Sequence, residues 1–167
     1  MPKAQKLSRG SSRQANVQLH TRELWRHISA NFIVKLPLAQ GYNIILVVCD
    51  YLTKMVHFIL TMEKTSAAGL AQLFRDNIWK LHGLPKSIIS DRGAQFIAGM
   101  MRKLNERLGI KTKLSMAYHP QANGQTKHIN QELKQYLRML VDHRQEQWPE
   151  WLGMAEFVYN NKKHTMT

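Results

Sequence analysis

From Trp25 onward the hydrophobic pattern divides the chain into recognisable elements. "HISANFIVKLP" is strand-like and ends at Pro37, "AQGY" is a turn, and "NIILVVCD" is a continuous apolar run. "KMVHFIL" alternates and supplies a third strand. Two short connections predict an antiparallel meander of these three strands. The unbroken run Ile44 to Val48 predicts a strand covered on both faces. Thr65 or Ser66 then caps a helix with Leu70, Leu73, Phe74, Ile78 and Leu81 at helical spacing, ended by Gly83 and Pro85.

"KSIIS" is a short buried strand that delivers Asp91 at its end. "DRGA" turns into a helix carrying Phe96, Met100, Leu104 and Leu108 four apart, and Gly109 stops it. "IKTKLS" is a fifth strand, and a loop from Met116 to Gly124 leads to a Gln125–Arg144 helix with Ile129, Leu133, Tyr136 and Leu137 on one face. Pro149 begins a last helix whose buried side is read as Trp151, Leu152, Ala155 and Val158. The expected fold is therefore α/β, a five-stranded mixed sheet flanked by helices.

At 167 residues the chain suits one domain with a full core. Charge adds the first functional constraint: 24 Lys and Arg against 11 Asp and Glu give +13, which points to nucleic acid or another polyanion, with an anionic membrane second. Residues 1–24 are polar and basic without periodicity, with Lys3, Lys6, Arg9, Arg13 and Arg22 among Ser, Gln and Gly. They read as a disordered arm that could touch phosphates, serve as a nuclear address or be an inert linker; the core domain is placed at 25–167.

Cys49 is the only cysteine, so no internal disulfide and no cysteine zinc site is expected. Within "IILVVCD" it reads as a small buried hydrophobe, a usage that fits a reducing compartment. No run approaches the ~18 apolar residues of a membrane span. No apolar core follows the basic N-terminal residues, so no secretory signal is expected.

Candidate chemistry centres on acids. Two-metal phosphoryl transfer needs several carboxylates converging on ions ~3.5–4 Å apart, and strand ends are natural supports for them. Asp91 ends a strand, although a lone Asp there also serves as a turn or cap residue. The strings "ILVVCDYLTKMVHFI", "LFRDNIWKLHGLPKSIISDRGAQF", "LGIKTKLSMAYHPQANGQTKHINQEL" and "WLGMAEFVYNN" narrow the choice. Together they resemble the integrase catalytic core of Ty3/gypsy-type long-terminal-repeat retrotransposons, in order and from about Trp25 to the C-terminus. The resemblance implies a ribonuclease H-like fold that inserts element DNA into a target through an Asp, Asp, Glu site holding Mg²⁺ or Mn²⁺.

Carried over residue by residue, the resemblance leaves one acid of three. The first Asp falls on Asn31 in "ISANFI", the second is matched by Asp91, and the Glu, with thirty-five residues intervening, falls on Lys127. The formal charge of the three positions is then 0 − 1 + 1 = 0 where the family has −3. A neutral amide is a poor replacement at a hard-metal site. An ammonium ~4 Å from a second cation is opposed by ~4 kcal/mol per unit charge pair at an effective dielectric of 20. The expectation is that Lys127 neutralises Asp91 and that no productive metal pair binds.

Asp50, and Glu132 on a different helix face from Lys127, are the acids that could take over. Lys127, Gln131, Lys134 and Arg138 form an i, i+4, i+7, i+11 polar stripe that is either an ordinary solvated face or, as the resemblance implies, a DNA-contacting one. Tyr118 and Gln125, in or beside the family's active-site loop, are expected near DNA, whereas His119 before Pro120 reads as structural. No Cys precedes Cys49 to supply the family's zinc module, and the chain stops at "NNKKHTMT", so an isolated, partly decayed core is expected.

The leading expectation is a catalytically inactive, nuclear, nucleic-acid-binding core, with DNA the first partner and pairing of two copies through helix surfaces possible. An active nuclease with rearranged ligands and a domesticated interaction module stay open beside it.

Overall fold

The computed structural model describes residues 24–90, 94–109, 120–143 and 145–162; the side chains of 94, 120–130 and 133 are outside that description. The expected arm at 1–23 and the expected fifth strand at 110–115 therefore lie outside the described residues. Leu24, the last residue assigned to the arm, already packs against the core.

Strands β1 (His27–Ile33), β2 (Ile44–Asp50) and β3 (Val56–Thr61) form the antiparallel meander that their short connections favour. Strand β4 (Ser87–Ile89) joins β1 in parallel, so the described sheet is mixed, with order β3-β2-β1-β4. Strand β2 is buried from Ile45 to Asp50 because both its faces are covered. Leu46 and Val48 meet one apolar cluster while Ile45, Val47 and Cys49 meet another.

Helix α1 comprises Ala67–Phe74, a π-helical stretch Arg75–Trp79 and a final turn Lys80–His82. Ser66, rather than Thr65, caps it, its Oγ accepting from the Gly69 N–H at 3.1 Å. The wider π turn shifts the helical phase of the residues after it, so Leu81, expected to be buried, is exposed. Gly83, with φ at +79°, ends the helix.

Helix α2 (Ala94–Leu108) buries Ile97, Met100, Met101 and Leu104 against α1 and the sheet. Phe96, expected in the same row, is exposed and edge-on to Phe32 at 6.4 Å. Residues four apart drift by about 40° per step on a 3.6-residue helix, so a long row of them cannot stay on one face.

Helix α3 (Pro120–His143) begins five residues before the expected Gln125. Pro120 is compatible with a first turn, since its missing N–H would have no partner there. Leu137 and Val141 are buried, with Tyr136 and Leu140 packed beside them.

Helix α4 (Trp148–Asn160) buries Trp148, Leu152, Ala155 and Tyr159. Val158 is exposed and Trp151 half-buried, a rotation of the expected face. The reason is anchoring: the Trp148 indole donates to the Pro37 carbonyl at 2.9 Å, and Tyr159 lies against Phe58. Helices α1 and α2 thus cover one face of the sheet, and α3 and α4 the other.

Candidate functional site

Asn31 stands on β1, paired with Val47 of β2, and is only 7% exposed. Alternation along β1 sets Ile28, Ala30 and Phe32 toward α1 and α2, which places Asn31 on the opposite face, the one covered by α3 and α4. Strand β4 runs parallel to β1 with Ile89 level with Ser29, so both strands deliver their C-terminal ends to the same end of the sheet. Asp91, two residues beyond Ile89, lies outside the described residues, as do Tyr118 and His119. Gln125 and Lys127 are helical within α3, but their side chains lie outside the description. Of the polar stripe, Gln131, Lys134 and Arg138 are exposed, and they make no ion pair with a described residue.

Neither reserve acid converges on Asn31. Asp50 is fully buried and opposite Ile28, hence on the other face of the sheet. Its Oδ1 accepts from the Trp25 N–H at 3.0 Å, and its Oδ2 accepts from the Thr53 N–H at 3.0 Å and the Thr53 hydroxyl at 2.6 Å. These bonds make Asp50 the tie that closes the β2–β3 turn and holds Trp25 at its positive φ of 58°. Glu132 is exposed and faces Lys162 at 3.8 Å. Among the described residues no group of three or more His, Cys, Asp or Glu is placed to hold a metal ion. Burial pushes the Cys49 thiol up to about 12, so it stays protonated, as its buried position suggests.

The structure also assembles residues that carry no local sequence signal. Glu156 and Asn160, one turn apart on α4, bond to the backbone of the sheet edge. Glu156 Oε2 accepts from the Phe58 N–H at 2.8 Å; Asn160 accepts from the Val56 N–H at 2.8 Å and donates to the Val56 carbonyl at 2.9 Å. His57 of β3 contacts Glu156 through Nδ1 at 3.0 Å and His82 of α1 through Nε2 at 2.9 Å. An acid and an amide at i, i+4 beside an apolar helix face were the available hint; the partners, about a hundred residues away in sequence, were not legible.

Two comparisons with known proteins bear on this arrangement, while no protein-family model matches the chain. The catalytic core domain of BIV integrase has the same fold, with a TM-score of 0.59 and 20% identity over 84% of this chain and 86% of that one. The protein thus has the ribonuclease H-like fold of integrase catalytic cores. In sequence it is similar to the transposon Tf2-3 and Tf2-4 polyproteins of Schizosaccharomyces pombe, each 29% identical over 143 residues, 86% of the chain. That likeness agrees with the resemblance of the sequence to integrase cores of the Ty3/gypsy type. The chain spans 11% of the length of those polyproteins. No described helix is long and apolar enough to cross a membrane.

Proposed function

We propose that this domain is a nucleic-acid-binding integrase core that has lost metal-dependent strand transfer. The observation that carries this reading is Asn31: a buried neutral amide on β1, where the family resemblance calls for the first carboxylate. With Lys127 at the third position, the donor set has no net charge to offer two divalent cations, and it does not fit a Mg²⁺ or Mn²⁺ pair. Lys127 and Asp91 are read as charge partners. The exposed Lys134 and Arg138 on α3, in a chain of net charge +13, supply the basic surface for DNA phosphates.

The test has two parts. With Mg²⁺ or Mn²⁺ the protein should neither nick nor join DNA ends. It should still bind duplex DNA, with log K falling as salt rises by about 0.9 per phosphate neutralised. Lys134→Ala with Arg138→Ala should flatten that slope by about 1.8 and weaken binding evenly across DNA sequences. Metal-dependent cleavage by the unsubstituted protein, or an unchanged slope in the double variant, would refute the corresponding half.

A second reading concerns assembly and rests on α4, whose outer side exposes Met154, Phe157 and Val158 while its inner side is fixed to the sheet. This apolar strip suits a second copy of the domain. Sedimentation should show a dimer that Phe157→Lys returns to monomer with the melting temperature little changed. A monomer at high micromolar concentration would dispose of the idea.

A further inference from the structure

Where β3, α1 and α4 meet, three ionisable side chains form a chain of contacts unrelated to the metal positions. Glu156 Oε1 lies 3.0 Å from His57 Nδ1, and His57 Nε2 lies 2.9 Å from His82 Nε2. The His82 ring stacks on Trp25 at 4.0 Å with the planes 8° apart. Two ring nitrogens at this separation are joined by one hydrogen, since two N–H groups pointing at each other repel and two bare nitrogens make no bond. With the Glu156 carboxylate accepting from His57 Nδ1, the pair is satisfied when it carries no charge or one, and it is broken when it carries two.

We propose that His57 and His82 form an acid-sensitive latch: sharing one proton, they tie the last turn of α1 to β3 and α4, and uptake of a further proton releases that turn. The turn, Lys80–His82, is bounded on one side by the π-helical stretch Arg75–Trp79 and on the other by Gly83 with φ at +79°. It is thus joined to its neighbours by irregular backbone at both ends.

The groups facing the pair are Glu156 from α4, Asp50 from the end of β2 and the uncharged ring of Trp25. Burial holds His82 below the usual histidine value near 6.5, reinforced by His57 and partly offset by Asp50. A histidine depressed in the folded state contributes stability that is complete above the unfolded value. That contribution is lost as pH falls from about 6.5 toward the folded value.

The experiment follows the histidine rings and backbone amides by NMR in metal-free buffer containing EDTA, from pH 8 to 5. The His82 ring should titrate below the usual histidine range, as its burial requires. After correction for intrinsic exchange, the amides of Lys80, Leu81 and His82 should exchange at least ~10-fold faster at pH 5 than at pH 7.5, while those of β2 do not. In His82→Gln, neutral at both pH values, that acceleration should vanish; His57→Gln gives the same reading should the first variant not fold. A His82 ring that titrates at the ordinary value near 6.5, or equal acceleration in either folded variant, would overturn the latch.

Discussion

The double substitution Asn31→Asp, Lys127→Glu is expected to confer Mg²⁺- or Mn²⁺-dependent DNA strand transfer at least ~10²-fold above that of the unsubstituted chain. The magnitude follows from restoring Lewis-acid stabilisation of several kcal/mol, at about 1.4 kcal/mol per factor of ten. The formal charge of the three positions returns from 0 to −3. A stability signature should accompany the activity. Position 31 is 7% exposed, so a carboxylate there without a counter-ion costs the folded state several kcal/mol, and the metal-free double variant should melt below its parent. Millimolar Mn²⁺ should then raise its melting temperature and leave the parent's unmoved. Either substitution alone should stay inert, because each leaves one donor of the wrong charge. A double variant that gains stability from metal yet joins no DNA would show that more than ligands had been lost. Activity in the parent would overturn the premise.

The largest expected effect on stability belongs to Asp50. Asp50→Ala removes three hydrogen bonds accepted by one fully buried carboxylate, from the backbone of Trp25 and from the backbone and hydroxyl of Thr53. Hydrogen bonds to charged groups contribute about 1.5–3 kcal/mol each, but not additively, so a loss of about 3–5 kcal/mol is expected. Trp25 has φ of 58°, a conformation costing of order 1–3 kcal/mol that persists only where surrounding contacts impose it, and Asp50 supplies one of them. For a domain of about 5–15 kcal/mol total stability such a loss is severe. Asp50→Asn should rescue little, since an amide N–H₂ would oppose the donors of Thr53. The urea midpoint reads the result; a shift equivalent to under ~1 kcal/mol would mean that Asp50 does not tie Trp25 to the β2–β3 turn.

The ease of reading this fold from its sequence tracked how local each determinant was. The run Ile44 to Val48 could be assigned to a strand covered on both faces because no polar residue interrupts it, and the structure buries all of it but the partly exposed Ile44. The order of elements followed from capping and breaking residues such as Ser66 and Gly83. Helix faces were less legible. A row of residues four apart misled at Phe96, and a π turn invisible in composition misled at Leu81. That Asn31 lies within a strand was readable because "ISANFI" is a local pattern, and the structure buries that residue within β1. Asp50 could be seen as an acid at a strand end. Its role depended on Trp25, twenty-five residues away, which no spacing rule supplies. The same holds for His57 with His82 and for the hold of α4 on β3.

That hold has a consequence for how such domains can assemble. The carboxylate of Glu156 and the amide of Asn160 occupy the Val56 and Phe58 backbone groups that an incoming strand would need. Side chains from a helix stand in for the next strand, so sheet extension between two molecules is closed off along this stretch of β3. Partners arriving on this side must meet the outer surface of α4 instead, and a chain lacking that helix would regain an open template for strand addition.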